Sequence, residues 1–316
     1  MSQIVFLDAA TLADTDLTVL QSHGRTLQCY DHTAPSEVVA RLQSASVAMV
    51  NKVQLTSSVL QQLPKLQLIC VAATGVNNVD LHSARQLGIA VCNVRGYANT
   101  AVPQHVMALL LALSNNITRY DQAVRQGRWS QSPHFCLLDY PLLELAAKNF
   151  VVIGYGALGQ ASAKLAAAFG MNVIIAEQPA ASLCRPGRVP FEQALAQADV
   201  VSLHCPLTPA NHQLFNAAVF ATIKPGALLI NTARGALIDE AALLEALQSG
   251  QLAGAALDVL TQEPPAPDNL LIRANLPNLI ITPHMAWATA EARQRMVMQL
   301  ASHISSFFDG GTLPSL

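Results

Sequence analysis

Three side chains in the second half of the chain have the types needed for proton and carboxylate chemistry: Arg234, Glu263 and His284. Arginine presents a planar, permanently charged fork that matches a carboxylate in two parallel hydrogen bonds. Histidine gains and loses a proton in the neutral range, so it can deliver one to a carbonyl oxygen or take it back. A carboxylate beside that histidine favours the imidazolium form. Together these are the groups that reduction of a small oxo acid requires, apart from a source of hydride. Each also has an ordinary alternative. Arg234 could be a charge flanking a helix, Glu263 a solvated loop acid, and His284 a hydrogen-bonded structural histidine. Their spacing alone does not show that they meet.

A hydride source is suggested by Val151-Val152-Ile153-Gly154-Tyr155-Gly156-Ala157-Leu158-Gly159. An apolar, β-branched run breaks into glycines spaced G-x-G-x-x-G and continues as helix-like sequence through Phe169. In a dinucleotide site, Gly154 makes the tight turn, Gly156 lets the backbone approach a pyrophosphate, and Gly159 lets helix pack close on strand. The first N–H groups of that helix, at Ala157 and Leu158, would face the phosphates. A second strand-like run, Asn172 to Ala176, follows at βαβ spacing and ends in Glu177, 21 residues past Gly156. A carboxylate there can accept both hydroxyls of an adenine ribose and repels a 2′-phosphate, which favours NAD over NADP. The alternative is a bare glycine turn between strand and helix.

These residues need elements to hold them, and the chain supplies an alternation of strand-like and helix-like segments. Ile4–Leu7, Thr26–Tyr30, Val47–Val50 and Leu66–Val71 read as strands of a parallel sheet covered on both faces. Ala72 to Asp80 is a small-residue loop whose N–H groups could hold an anion, or an ordinary strand-to-helix turn. Asn99 or Thr100 can cap a helix with Pro103 in its first turn. Its continuation, Val106 to Leu113, is apolar all round, which predicts burial. Two helices' worth of sequence then leads to Phe150. Further strands are expected at Asp199–Cys205, Gly226–Asn231, Ala253–Asp258 and Leu279–Thr282, with Asp239 capping a helix through Leu247. Arg234, Asp258 and His284 then fall at carboxyl ends of parallel strands, where ligands bind in open α/β sheets. The pattern places a domain boundary between residues 98 and 99.

Composition excludes other classes. The chain has 316 residues, 52% of them hydrophobic and 12% charged, which suits two packed domains and argues against disorder. A formal net charge of -2 leaves no basic footprint for nucleic acid and no polybasic patch for a membrane surface. No apolar stretch is long enough to span a bilayer, and no signal peptide precedes Ile4. The six cysteines include no C-x-x-C pair, so they read as free thiols of a reducing compartment rather than metal ligands. The expectation is a cytoplasmic protein with no metal, nucleic-acid or membrane partner.

At this point the motifs match a known family. Gly154 to Gly159, Leu203-His204-Cys205-Pro206-Leu207-Thr208, Asn231-Thr232-Ala233-Arg234-Gly235, Ala256-Leu257-Asp258-Val259 with Glu263-Pro264-Pro265, and Thr282-Pro283-His284 together resemble the D-isomer-specific 2-hydroxyacid dehydrogenases, over essentially the whole chain. The resemblance implies two doubly wound parallel-sheet domains. A Rossmann NAD-binding domain, residues 99–285, would be inserted into a smaller flavodoxin-like substrate-binding domain of residues 1–98 and 286–316. It implies that Arg234 grips the substrate carboxylate with the backbone at Gly75 and Val76. His284 would be the acid/base, and Glu263 its partner. Thr74, Ala157, Leu158, Glu177, Thr208, Ala233 and Asp258 would contact NAD. The apolar helix after Thr100 would cross between the domains and contribute to a homodimer.

Within the family, Phe135 to Pro141 and His284 to Thr289 look most like the bacterial glycerate dehydrogenases, or hydroxypyruvate reductases. The implied substrate is a small 2-oxo acid, first of all hydroxypyruvate. Glyoxylate, D-lactate and phosphoglycerate dehydrogenases are the enzymatic alternatives, and an NADH-sensing binding protein of the same fold is the non-enzymatic one. The absence of a regulatory domain weighs against regulated phosphoglycerate enzymes. Glu263 weighs against a formate dehydrogenase, where glutamine is found. There are departures from the family pattern: Ala147 for glycine, Arg95 for proline, and Glu177 for the commoner aspartate. Arg95 adds a charge near the expected cleft and so bears on substrate choice. Arg185 and Arg188 are expected on the surface.

Overall fold

A computed structural model describes residues 3–21 and 24–314 of the chain. It divides into two compact units, Met1–Ala98 with Ala288–Leu316, and Asn99–Trp287. The second boundary lies two residues beyond the expected one. Trp287 is tied to the larger unit, because its indole Nε1 donates to the carbonyl of His284 at 2.9 Å.

In the smaller unit, β1 (Gln3–Phe6), β2 (Thr26–Cys29), β3 (Val47–Val50), β4 (Leu68–Val71) and β5 (Ala90–Asn93) form one parallel sheet. Their order is β2-β1-β3-β4-β5, the flavodoxin-like order. β3 and β4 are buried at every position, which is why their sequences are continuous apolar runs rather than alternating ones. Val5, Leu7, Val50, Ile69 and Val71 pack with Val38, Leu42 and Leu60 in one core. Asp8, almost fully buried, accepts from the N–H groups of Asn51, Lys52 and Val53 and so fixes the turn after β3.

The larger unit holds β6 (Asn149–Ile153), β7 (Asn172–Ile175), β8 (Val200–Leu203), β9 (Ala227–Asn231), β10 (Leu252–Leu257) and β11 (Leu279–Ile281), all parallel. The order is β11-β10-β9-β8-β6-β7. From β6 the chain runs outward to β7 and then returns to the other side at β8. The crevice for a ligand therefore opens at the carboxyl ends of β6 and β8. A bridge from Ala176 to Val189 extends the sheet beyond β7. This is the Rossmann arrangement expected from the alternation of elements.

The helix Ala101–Ser114 packs on the helix Ala157–Ala168 and against β9 and β10, with Gln104 and Ala108 exposed in the single chain. Thr100 is its N-cap residue but makes no side-chain capping bond. The sequence between that helix and β6 supplies one helix, Ile117–Arg125, and then runs without helix over residues 126–148. Gly127, Pro133 and Pro141 interrupt any helical period there. The segment is held instead by Arg128, which reaches Asp139 and the Tyr140 hydroxyl, and by Trp129 Nε1 donating to the Phe135 carbonyl.

Candidate active site

The glycine turn has the backbone that a dinucleotide requires. Gly154 has φ +97°, and a Cβ on it would stand 2.5 Å from the backbone nitrogen of Cys205, so the turn after β8 forbids a side chain. A Cβ on Gly159 would stand 2.1 Å from the carbonyl oxygen of Gly154, which is the close helix-to-strand packing that this glycine permits. Gly156 differs. A Cβ there would meet nothing within 4 Å, so the space in front of it is open. Gly156 is also the N-cap of the helix Ala157–Ala168 and makes no side-chain cap. The first N–H groups of that helix, at Ala157 and Leu158, thus remain without a side-chain acceptor at the positive end of the helix dipole. An open, uncapped helix start in front of a glycine fits a pyrophosphate.

Strand register brings the acid chemistry together. Leu257 of β10 pairs with Asn231 of β9 on one side and Ile281 of β11 on the other. Arg234 and His284 each lie three residues beyond those partners, at one level of the same sheet edge. The two flanking strands are about 9–10 Å apart there. Asn231, fully buried, shapes the turn that delivers Arg234: its Nδ2 donates to the Arg234 carbonyl and its Oδ1 accepts from Ala233 N. The Arg234 guanidinium is exposed and donates to the Ala233 carbonyl at 2.7 Å. No carboxylate among the described residues pairs with it, so its charge is available to an anion.

His284 sits at φ +53°, a conformation that a side-chain-bearing residue adopts at a cost. Its N–H bonds to the carbonyl of Asp258 at 2.8 Å. Its ring Nδ1 lies 2.6 Å from Glu263 Oε2, with both side chains about one-third exposed. Glu263 Oε1 in turn accepts from Leu260 N at 3.0 Å, which fixes the carboxylate within its loop. That pairing leaves Nε2 as the ring nitrogen directed to a ligand. The expected partnership of Glu263 with His284 is therefore present as a direct side-chain hydrogen bond.

Asp258, expected as a cofactor contact, also holds the loop that carries His284. It is almost fully buried and accepts from the Thr282 hydroxyl at 2.6 Å, Met285 N at 2.9 Å and Ala286 N at 2.8 Å. His105, from the helix Ala101–Ser114, adds a contact to Thr282 Oγ1 at 3.1 Å. A buried carboxylate needs such donors, and here they come from the loop that carries His284. His105 and Thr282 are supporting residues that spacing could not single out, since their bonds run between segments distant in sequence.

The surroundings of Glu177 also differ from expectation. Glu177 is 4% exposed at the end of β7. Arg185 donates to it from Nε at 2.7 Å, from Nη2, and from its own backbone N at 3.1 Å. Gln178 N adds a bond at 2.7 Å, and Arg188 Nη1 stands 3.7 Å away. The hydrogen bond from the Arg185 side chain, followed by those backbone donors, holds the Glu177 carboxyl well below the usual carboxylate range. Arg185 lies on the surface as expected but also pairs with this buried acid, and Arg188 is largely covered beside it. A buried carboxylate draws its neutralising cations from the loop that closes over it.

The other expected contacts are placed as follows. Thr208, after β8, is exposed and opens a short turn capped by Asn211. Ala233 is half-buried beside Arg234. Thr74, Gly75 and Val76 belong to the smaller unit, after β4, where Thr74 Oγ1 donates to the Val94 carbonyl and the Thr74 carbonyl accepts from Asn93. Below the fingerprint, His204 Nε2 bonds Ser202 Oγ at 2.8 Å, and burial pushes this ring down to about 4.

Comparison with known proteins agrees with this geometry. Residues 107–286 match the family described as "D-isomer specific 2-hydroxyacid dehydrogenase, NAD binding domain". The chain is similar to a glycerate dehydrogenase of Methylorubrum extorquens, with 45% identity over 98% of this chain and 96% of that one. It is similar to a hydroxypyruvate reductase of Blautia hydrogenotrophica, 37% identical over 98% and 97%. Among solved structures, the apo form of D-lactate dehydrogenase from Escherichia coli superposes with a TM-score of 0.83 at 28% identity, over 99% of each chain.

Proposed function

The chain belongs to the D-isomer-specific 2-hydroxyacid dehydrogenases, and from that premise we propose that it reduces hydroxypyruvate to D-glycerate with NADH. It is an NAD-dependent oxidoreductase acting on CH–OH donors. The observation that carries the reading of its chemistry is the 2.6 Å bond between His284 Nδ1 and Glu263. A protonated His284 delivers its Nε2 proton to the carbonyl oxygen of the substrate, and Glu263 offsets the imidazolium charge at Nδ1. The nicotinamide, when bound, supplies the hydride that reaches the carbonyl carbon. Arg234 holds the carboxylate in a bidentate grip and sets which carbon faces the ring. In the reverse direction, neutral His284 takes the hydroxyl proton. Gly154 to Gly159 and the first turn at Ala157 and Leu158 hold the pyrophosphate, and Glu177 lies where an adenine ribose ends. The roles given to Thr208 and Ala233, and to Thr74, Gly75 and Val76, rest on the resemblance alone.

The reading extends to assembly and location. Phe135 and Leu138 are 91% and 72% exposed in the helix-free segment, and an apolar surface of this kind is ordinarily covered. A homodimer using this segment is the proposed form, checked by sedimentation of wild type against Phe135→Asp. No helix among the described residues is long and apolar enough to cross a membrane. All six cysteines are free, which supports a reducing compartment and a cytoplasmic location.

The test is steady-state NADH oxidation with hydroxypyruvate, glyoxylate, pyruvate and 3-phosphohydroxypyruvate, with chiral analysis of the product. The highest kcat/KM is expected for hydroxypyruvate, and the product is D-glycerate. NADH binding without turnover of any of the four would instead indicate a sensor.

A further inference from the structure

Glu263 stands on a loop with little packing to hold it. Thr261, Gln262, Pro264, Pro265, Pro267 and Asp268 are exposed, and none of them belongs to a strand or helix. The prolines among them carry no N–H with which to tie the loop down. One carboxylate outside the loop spans it. Glu240 Oε1 accepts from Thr261 N at 2.8 Å, and Glu240 Oε2 accepts from Asn269 Nδ2 at 2.9 Å. Thr261 and Asn269 are the two ends of the loop, and Glu263 lies between them. We propose that Glu240 is a positioning residue of the acid site: it clamps both ends of this loop and so keeps Glu263 on His284. The inference rests on the acid role given to the Glu263–His284 pair.

Local chemistry leaves Glu240 available for this task. It opens the helix Glu240–Gln248, which is already capped by Asp239, whose Oδ1 accepts from Ala241 N and Ala242 N. The Glu240 carboxylate is therefore not the helix cap, and it reaches across to the loop instead. Asn269 is committed as well. Its Oδ1 caps the helix Leu270–Ala274 by accepting from Leu271 N and Ile272 N, so it faces Glu240 only as a donor. A carboxylate meets both ends because both of its oxygens accept. An amide in its place could accept from Thr261 N but would set one NH2 group against another at Asn269. An aspartate would keep the charge at the helix N-terminus and fall one methylene short of bracing both ends. The segment from Arg234 to Glu240 meets the loop a second time at Gly235, where a Cβ would stand 1.9 Å from the Leu260 carbonyl carbon. The turn that carries Arg234 and the loop that carries Glu263 are thus braced on each other, with Glu263 Oε1 tied inward to Leu260 N.

The experiment measures kcat and KM for hydroxypyruvate reduction, together with NADH titration calorimetry, on the full chain. The variants are Glu240→Ala, Glu240→Gln, Asn269→Asp, Glu263→Ala and the double variant with alanine at both 240 and 263. Glu240→Ala should lower kcat by about tenfold or more, since a misplacement of about 1 Å at a reacting group costs up to about a hundredfold. KM should move by less than about threefold, because Asn231 rather than Glu240 shapes the turn that delivers Arg234. NADH affinity should stay as in wild type. Glu240→Gln and Asn269→Asp each break one end of the clamp and leave the helix caps in place, so both should lower kcat in the same direction. In the double variant the losses should not multiply, because without the Glu263 side chain the clamp has nothing left to place. A Glu240→Ala enzyme with kcat within about twofold of wild type, or losses that multiply in the double variant, overturns the inference while the acid pair stands. Should Glu240→Ala fail to fold, the two milder variants decide: wild-type kcat in both overturns the inference, and lowered kcat with intact NADH binding sustains it. If Glu263→Ala itself keeps kcat within about threefold of wild type, the acid role falls and the clamp falls with it.

Discussion

Gly235 offers the sharpest perturbation of the acid site, because it touches no ligand and yet separates two groups that do. It follows Arg234 directly, and a Cβ built on it would stand 1.9 Å from the carbonyl carbon of Leu260, 2.1 Å from its oxygen and 2.4 Å from Thr261 N. All three are backbone atoms, so no side-chain rotation relieves the clash. Ordinary carbon contacts lie near 3.5–4.0 Å, and Gly235→Ala must therefore push the Leu260 loop from the Arg234 turn by about 1.5–2 Å. That loop carries Glu263, which Leu260 N anchors, and through Glu263 it holds His284. A misplacement of about 1 Å in an active site costs about a hundredfold in rate. A fall in kcat/KM of two orders of magnitude or more is expected. Overpacking of this kind also costs about 1–3 kcal/mol, a loss of roughly 2–4 °C in Tm per kcal/mol. NADH binding should persist, because Gly154 to Gly159 hang from β6 rather than β9. The assay pairs steady-state reduction with calorimetric NADH titration and a thermal melt of the same variant. Activity within about threefold of wild type would show that the Arg234 turn and the Glu263 loop do not need their close approach, and the account of the site would fail.

Other perturbations separate the parts of the site. Gly156→Ala should melt with wild type, since a Cβ there meets nothing within 4 Å, yet lose about tenfold or more in NADH affinity as the methyl fills the phosphate space; undiminished binding would move the pyrophosphate elsewhere. Arg234→Lys keeps the charge and loses the fork, so kcat/KM should drop more than about tenfold, and near wild-type kinetics would remove Arg234 from the site. His284→Ala and Glu263→Gln should each lower kcat by at least about tenfold while NADH titrations stay unchanged; an active Glu263→Gln enzyme would show that the charge beside His284 is dispensable. His204 gives a stability test: burial holds its ring at about 4, below the unfolded value of ~6.5. The unfolded chain thus binds the extra proton first as pH falls, and stability should decline by about 2 kcal/mol between pH 7 and pH 5 on this account. Urea unfolding of His204→Gln across that range should show a shallower decline, and an equal slope would assign the loss to other groups.

The sequence by itself determined the fold and the chemical parts, because those depend on short-range pattern. Buried parallel strands must be continuous apolar runs, so β3, β4, β6 and β9 were legible without coordinates. The glycines were legible because only glycine tolerates the backbone at Gly154 and the contact at Gly159. Arg234, Glu263 and His284 were legible as chemical types. Their meeting was not, because 29 and 21 residues of chain separate them from one another, and only the register of β9, β10 and β11 brings those strand ends level. Partner choice by charged groups was the least visible. Arg185 lies eight residues past Glu177 across a loop with no periodic pattern, and it turns inward because the buried carboxylate must find donors. Asp258 likewise reads as a strand-end acid open to a ligand, and tertiary packing gives its oxygens to the loop that carries His284. Local pattern carries the backbone. Which polar groups satisfy one another is decided only when distant segments are packed side by side and excluded from water.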